Sequence, residues 1–307
     1  MQTAKTVAGP DGPVSRDEVR DRAIEYLTQR AVCGYHGHDS PACEPTALAA
    51  LALLAAKQHA AAARAVHWLQ QAQTQAGSVG VRPGHDVPSW PTGLAVLAWQ
   101  AALRLLPDPP RTIVASRDRA VAWILSTAGE TSKRDELCGH DTTLAGWPWV
   151  TGTHSWLEPT ALQVMALKAA GQAGHPRTRE GIALLLDRQL PAGGCNMGNT
   201  TVIGQVLRPQ LQPSGMALLA LAGEPSTPRV RKSIHYVQKQ LPLPGGALSI
   251  SWGILGLCAH ESDSAIEPAI LQRRLERLPS PHAVALLLLA TMRNDSPLIP
   301  LVQGAWA

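Results

Sequence analysis

Glu44-Pro45-Thr46-Ala47-Leu48-Ala49-Ala50-Leu51-Ala52-Leu53-Leu54-Ala55-Ala56 carries no charge after its first residue and is apolar on nearly every face of a helix. A helix of that kind is buried all round. The Pro-Thr step that opens it recurs as Trp90-Pro91-Thr92, as Glu158-Pro159-Thr160 and, with serine, as Gln212-Pro213-Ser214, at spacings of 46, 68 and 54 residues. Proline is favoured at the first helical position, because its missing N–H would have no intrahelical partner there and its φ is already helical. Each step therefore predicts a helix start, and the runs that follow predict buried helices over Pro45–Gln58, Pro91–Leu106, Pro159–Ala170 and Pro213–Ala222. Leu248–Ala259 and His282–Met292 have the same character.

Between these inner helices lie segments of another type, charged on one face with Val, Ile, Leu or Trp at helical spacing on the other: Arg16–Arg30, Ala60–Gln73, Ser116–Ala128, Thr178–Leu190, Thr227–Gln240 and Glu267–Leu278. The first opens with a capping box, Ser15-x-x-Glu18. Outer and inner types alternate strictly, six of each, and strand-like alternation is nowhere sustained. The expectation is an all-α ring of six hairpins, each inner helix covered by outer helices on one side and facing a central lumen on the other. Residues 15–294 form this single domain, 1–14 a flexible N-terminus and 295–307 a C-terminal tail.

Composition narrows the function classes. Charged residues are 16% of the 307, against about 25% in an average soluble protein, and 45% are hydrophobic, so much surface is buried. The net charge is +4, with Arg and Lys scattered rather than clustered, which argues against nucleic acid as a partner. Five cysteines are an odd, widely spaced set that reads as reduced thiols. Met1–Arg22 has no apolar core, and the longest apolar runs, Thr46–Ala56 and Ala283–Thr291, fall short of a membrane span. A cytoplasmic protein is expected. Phe is absent altogether, while Trp occurs nine times.

The outer segments carry a motif. Arg64-x3-Trp68-Leu69-x3-Gln73 is followed by Gly77, Leu184-Leu185-x3-Gln189 by Gly193-Gly194, and His235-Tyr236-x3-Gln240 by Gly245-Gly246, with a degenerate copy at Trp123-Ile124. The set resembles the aromatic-Leu-x3-Gln…Gly-x-Trp repeat of the prenyltransferase and squalene-cyclase superfamily, over roughly residues 44–260. That resemblance implies an α/α toroid, a six-hairpin α6/α6 barrel whose enzymes handle isoprenoid chains in the central cavity. Signatures of particular activities are missing from the chain: the Asp-x-Asp-Asp acid of triterpene cyclases, the Asp-x-Cys of zinc-dependent protein prenyltransferases, and the Gly-Cys-Gly-Glu-Gln of thioester toroids, whose nearest counterpart is Gly194-Cys195-Asn196-Met197-Gly198.

In an alternating ring, all loops from an outer to an inner helix lie at one end, the mouth, which also receives the six inner-helix N-termini and favours anions. The dipeptides His38-Asp39, His85-Asp86 and His140-Asp141 all fall in such loops. One reading places an acid over an aromatic-walled lumen, where an apolar setting raises its pKa so that it can protonate an alkene or epoxide while Trp faces stabilise the cation. In that reading Asp141 is the proton donor, His140 orients it, and Asp86 and Glu158 are electrostatic partners. Trp90, Trp147, Trp149, Trp156, Trp252, His154, Glu44, His38 and Asp39 line the substrate. The other reading makes the Asp residues turn formers and Glu-Pro-Thr a helix start. Trp68, Trp99 and Trp123 fall within helices and read as core.

Zinc is the rival chemistry, from Cys33, His36, His38, Asp39 and Cys43 in one loop and Cys138, His140, Asp141 and His154 in another, but neither loop spells a complete ligand set. No cofactor is expected, with zinc or magnesium as the alternative. The leading expectation is a terpene-cyclase or prenyltransferase-like enzyme acting on an isoprenoid or similar apolar molecule; the alternative is a non-catalytic toroid that binds a lipid or a protein partner.

Overall fold

The computed structural model describes residues 16–135, 138–262, 273–277 and 280–306. Ser15 and the N-terminus before it lie outside them, as does most of the segment 267–278, of which 273–276 are helical. Five amphipathic helices are Arg16–Gln29 (α1), His59–Gln71 (α3), Thr112–Ser126 (α5), Pro176–Asp187 (α7) and Pro228–Gln240 (α9). The buried set is Cys43–Ala55 (α2), Thr92–Leu105 (α4), Leu157–Ala169 (α6), Leu211–Ala220 (α8), Ala247–Cys258 (α10) and Pro281–Thr291 (α11). A two-stranded hairpin, Thr201–Val202 (β1) with Gln205–Val206 (β2), interrupts the loop before α8. The architecture is all-α. Among the described residues no helix is long and apolar enough to cross a membrane.

Pro45, Pro159 and Pro213 are each the third residue of their helix, and Pro91 directly precedes α4. The expected first position thus shifts by up to two residues. The cause is that every N–H of the first turn lacks an intrahelical acceptor, so proline costs nothing there.

The residue after each proline explains why the step repeats. Thr46 Oγ1 accepts the Cys33 amide at 3.2 Å and donates to the Cys33 carbonyl at 3.1 Å. Thr92 treats Val79 in the same way, Thr160 treats Trp147, and Ser214 treats Cys195, with amide distances of 2.8–2.9 Å. One buried hydroxyl therefore satisfies the amide of a loop residue in the core and adds a donor to its carbonyl, which in three copies also accepts a backbone amide.

The outer-helix motif also has a local cause. Gln73 donates to the carbonyls of Gly77 at 2.9 Å and Ser116 at 2.8 Å, the second on the next outer helix, α5. A Cβ on Gly77, at φ +99°, would run into the Arg119 carbonyl of α5. In the second copy Gln189 accepts from Ser233 of α9, and Gly193, at φ +96°, lies against the Lys232 carbonyl. Glutamine and glycine together bring one outer helix's C-terminus against the next outer helix.

Packing among the buried helices runs in a closed circuit: α2 on α4, α4 on α6, α6 on α8, α8 on α10, α10 on α11, and α11 back on α2. The approach of α8 to α10 is close enough that a Cβ on Gly215 would strike the Trp252 carbonyl. Outer helices cover the outside, α3 on α2 and α4, α5 on α4 and α6, α9 on α8 and α10. Leu48, Leu51, Leu97, Leu218 and Leu287 of the circuit have no exposed surface, so the interior is filled by its own side chains.

The segment expected as a tail is part of this core. Residues Leu298–Val302 form a short helix (α12) packed on α4, α6, α8 and α10, with Leu298, Leu301 and Val302 fully buried. Its exit is fixed where the Trp306 carbonyl accepts from Arg104 at 2.7 Å and Gln100 at 3.0 Å, both in the later turns of α4. The C-terminal side of the circuit is thereby closed.

Candidate functional site

Four buried helices bring polar side chains to their shared N-terminal side: Glu44 from α2, Glu158 from α6, Gln212 from α8 and His282 from α11. Glu158 is 5% exposed, and Gln212 Nε2 donates to its Oε1 at 3.1 Å. Burial, reinforced by the nearby negative charge of Glu44 and opposed by the Gln212 hydrogen bond, pushes the Glu158 carboxyl up to about 7. The partial positive charge at the start of α6 works against this shift. It contributes about 0.3–1 kcal/mol, less than one pKa unit, so desolvation wins.

Glu44 has polar neighbours of its own. His282 Nε2 lies 3.4 Å from its Oε1, and the Tyr35 phenol is close enough to feel its charge. The Tyr35 ring meets His282 edge-on at 5.5 Å, while burial and Glu44 raise the phenol's pKa far above its ordinary value. Cys43, next to Glu44, is a buried thiol pushed up to about 12 and is therefore no nucleophile at neutral pH. Trp90 and Trp149 pack edge-to-face at 5.0 Å beside α6, where Gln163 Nε2 holds the Trp90 carbonyl at 3.1 Å. Gln163 Oε1 is buried without a partner among the described residues. Two carboxyls in unlike surroundings, one able to hold a proton at neutral pH and one beside His282 and Tyr35, are a pattern for proton transfer.

The residues expected to carry catalysis are placed differently. Asp141 accepts from the Thr143 amide and hydroxyl at 2.9 and 2.7 Å and from Arg134 at 3.0 Å; the Thr143 bonds, aided by Arg134 and Arg188, hold its carboxyl below the usual range. Its carboxylate closes a turn through Thr143. His140 does not orient it: its Nδ1 accepts the Thr200 amide at 3.4 Å, and burial, followed by Arg188, lowers its pKa. Asp86 is exposed in a loop whose Ser89 hydroxyl bonds its carbonyl. His38 and Asp39 are exposed as well, Asp39 being tied at 3.0 Å to His36, whose hydrogen bonds are the main cause of its lowered pKa.

Of the tryptophans, Trp147 is 2% exposed, donates to the Ile124 carbonyl at 2.9 Å and lies under Arg177 at 4.2 Å, so it is core. Trp252 is buried within α10. Trp156, just before α6, lines a separate cavity with His140 and His154, and exposed His154 bonds the Glu130 carbonyl at 3.2 Å. Among the described residues no three His, Cys, Asp or Glu side chains converge as metal ligands. Cys33 is a buried thiol pushed up to about 12 by desolvation.

Glu44, Glu158, Trp90 and Trp149 are thus brought to the N-terminal side, while Asp141, His140 and Asp86 are spread around its rim. Tyr35, Gln212 and His282 were not singled out, although Gln212 stands in the Glu-Pro-Thr register and His282 follows another proline, Pro281.

No family model and no curated protein matches the chain. Among solved structures, that of a protein from Actinoplanes aligns with 92% of this chain and 82% of its own, at 15% sequence identity and a TM-score of 0.49.

Proposed function

We propose that the closed circuit is an α/α toroid, a divergent relative of the prenyltransferase and squalene-cyclase superfamily, and that the protein is an enzyme working at the toroid mouth. Glu158 delivers a proton to a neutral isoprenoid or similar apolar molecule resting on Trp90 and Trp149. Protonation of an alkene leaves a carbocation and the Glu158 carboxylate, and loss of a proton from a neighbouring carbon restores the acid. The net reaction is an isomerisation or cyclisation without a cofactor. What supports this reading most is a single observation, the buried Glu158 carboxyl that keeps its proton to about pH 7. The filled interior moves the substrate from the expected lumen to the mouth.

The filled interior also favours a second reading, a non-catalytic toroid that binds a lipid or protein partner. Incubation with a panel of isoprenoid alkenes, epoxides and alcohols, with products read by gas chromatography–mass spectrometry, separates the two. Turnover that falls as pH rises through about 7, is lost in Glu158→Gln and persists in Asp141→Asn is expected. Loss in Asp141→Asn with Glu158→Gln active would overturn the assignment, and no turnover of any member would leave the binding toroid.

A further inference from the structure

Away from the central carboxyls, the loops before α6 and α8 enclose a cavity of about 220 Å³ that the proposed chemistry does not use. Its walls include Arg188, His140, Trp156, Leu144 and Asn199. Arg188 is 6% exposed, a charged group almost wholly removed from water. Its Nη1 is held by the Asp187 carboxylate at 2.5 Å and the Asp141 carbonyl at 3.1 Å. Nε and Nη2 make no hydrogen bond to the described residues, and Arg188 is part of the cavity wall. The edge of the guanidinium formed by Nε and Nη2 is thus the part of Arg188 left for a ligand in the cavity it lines. That edge carries two parallel N–H groups, the fork that matches the two oxygens of a carboxylate.

His140 adds a third donor. A backbone amide can only donate, so the Thr200 amide fixes His140 Nδ1 as an acceptor and puts the ring proton on Nε2. Burial keeps the ring neutral at physiological pH. Trp156 and Leu144 supply apolar wall, and the volume lies below the roughly 300–1,000 Å³ of sites for drug-sized ligands.

We propose that this cavity is a binding site for a small organic carboxylate with a flat apolar body, its carboxylate on the free edge of Arg188 and its body against Trp156. The site is independent of the reaction proposed for the mouth.

Isothermal titration calorimetry of the purified chain with benzoate, benzamide and inorganic phosphate tests it. Saturable binding of one benzoate is expected, at least tenfold tighter than benzamide and than phosphate. Arg188→Gln removes the fork and should weaken benzoate at least tenfold. Because Arg188 also ties two loops together, Asn199→Asp is the safer variant: Asn199 is exposed, and the added charge should repel benzoate tenfold or more while the unfolding midpoint stays in place. Equal affinity for benzoate and benzamide, phosphate binding as tightly as benzoate, indifference to Asn199→Asp, or no saturable binding would each overturn the proposal.

Discussion

Glu158 and Asp141 are the same chemical group in opposite surroundings. Asp141 has three donors and a partly exposed carboxylate; Glu158 has one donor, little solvent and a neighbouring negative charge. The folded chain holds the Glu158 proton to about pH 7, whereas an unfolded glutamate releases it near about 4.3. Between those values the folded state binds more protons, so this residue's contribution to stability falls as pH rises and is lowest above pH 7. Glu158→Gln should therefore equal the wild type near pH 4 and exceed it by up to about 3 kcal/mol near pH 8.5, in urea unfolding at the two pH values. A gain independent of pH would mean that Glu158 titrates normally. The sequence singled out both carboxylates but gave the proton to Asp141. The three His-Asp repeats drew attention to the loops, whereas the depth of a carboxyl depends on what covers it. Here that cover comes from Gln212 and Glu44, 54 and 114 positions away in the chain.

At the level of helices and loops, much was readable because the signals are local. Each all-round apolar run became a buried helix with ends displaced by three residues or fewer, while α5 began four residues earlier than its apolar positions suggested. The Pro-Thr step marked helix starts, but its second function did not show in the sequence. The hydroxyl bonds a residue 13 positions earlier in three copies and 19 in the fourth, but the partners are Cys33, Val79, Trp147 and Cys195, which share no residue type, and the bond is made through their backbone groups. Thr92→Val keeps the shape, removes the hydroxyl and leaves the Val79 amide buried and unpaired. A loss of about 1–3 kcal/mol in thermal or urea unfolding is expected, and Thr92→Ser, which keeps the hydroxyl, should lose clearly less. Equal losses would assign the effect to the missing methyl. The segment Leu298-Ile299-Pro300-Leu301-Val302 escaped notice for a related reason: five residues flanked and interrupted by proline show no helical period, and only the circuit's hollow end gives them a place.

For the molecule as a whole, the account rests on closure. Residues from α2, α6, α8 and α11 meet only if the circuit of helices returns to its start, so the environment of Glu158 is a property of the entire ring. Because the interior is filled and the C-terminal side closed, the proposed reaction is assigned to the N-terminal side. The most direct measurement is a ¹³C NMR titration of the glutamate side-chain carboxyls in the folded chain, with Glu158→Gln identifying the resonance. The account expects a midpoint of about 7 for Glu158, moving down when Glu44→Gln removes the neighbouring charge. A midpoint near about 4.3, the value of a solvated glutamate, would contradict both the closed surroundings of Glu158 and its proposed role as proton donor.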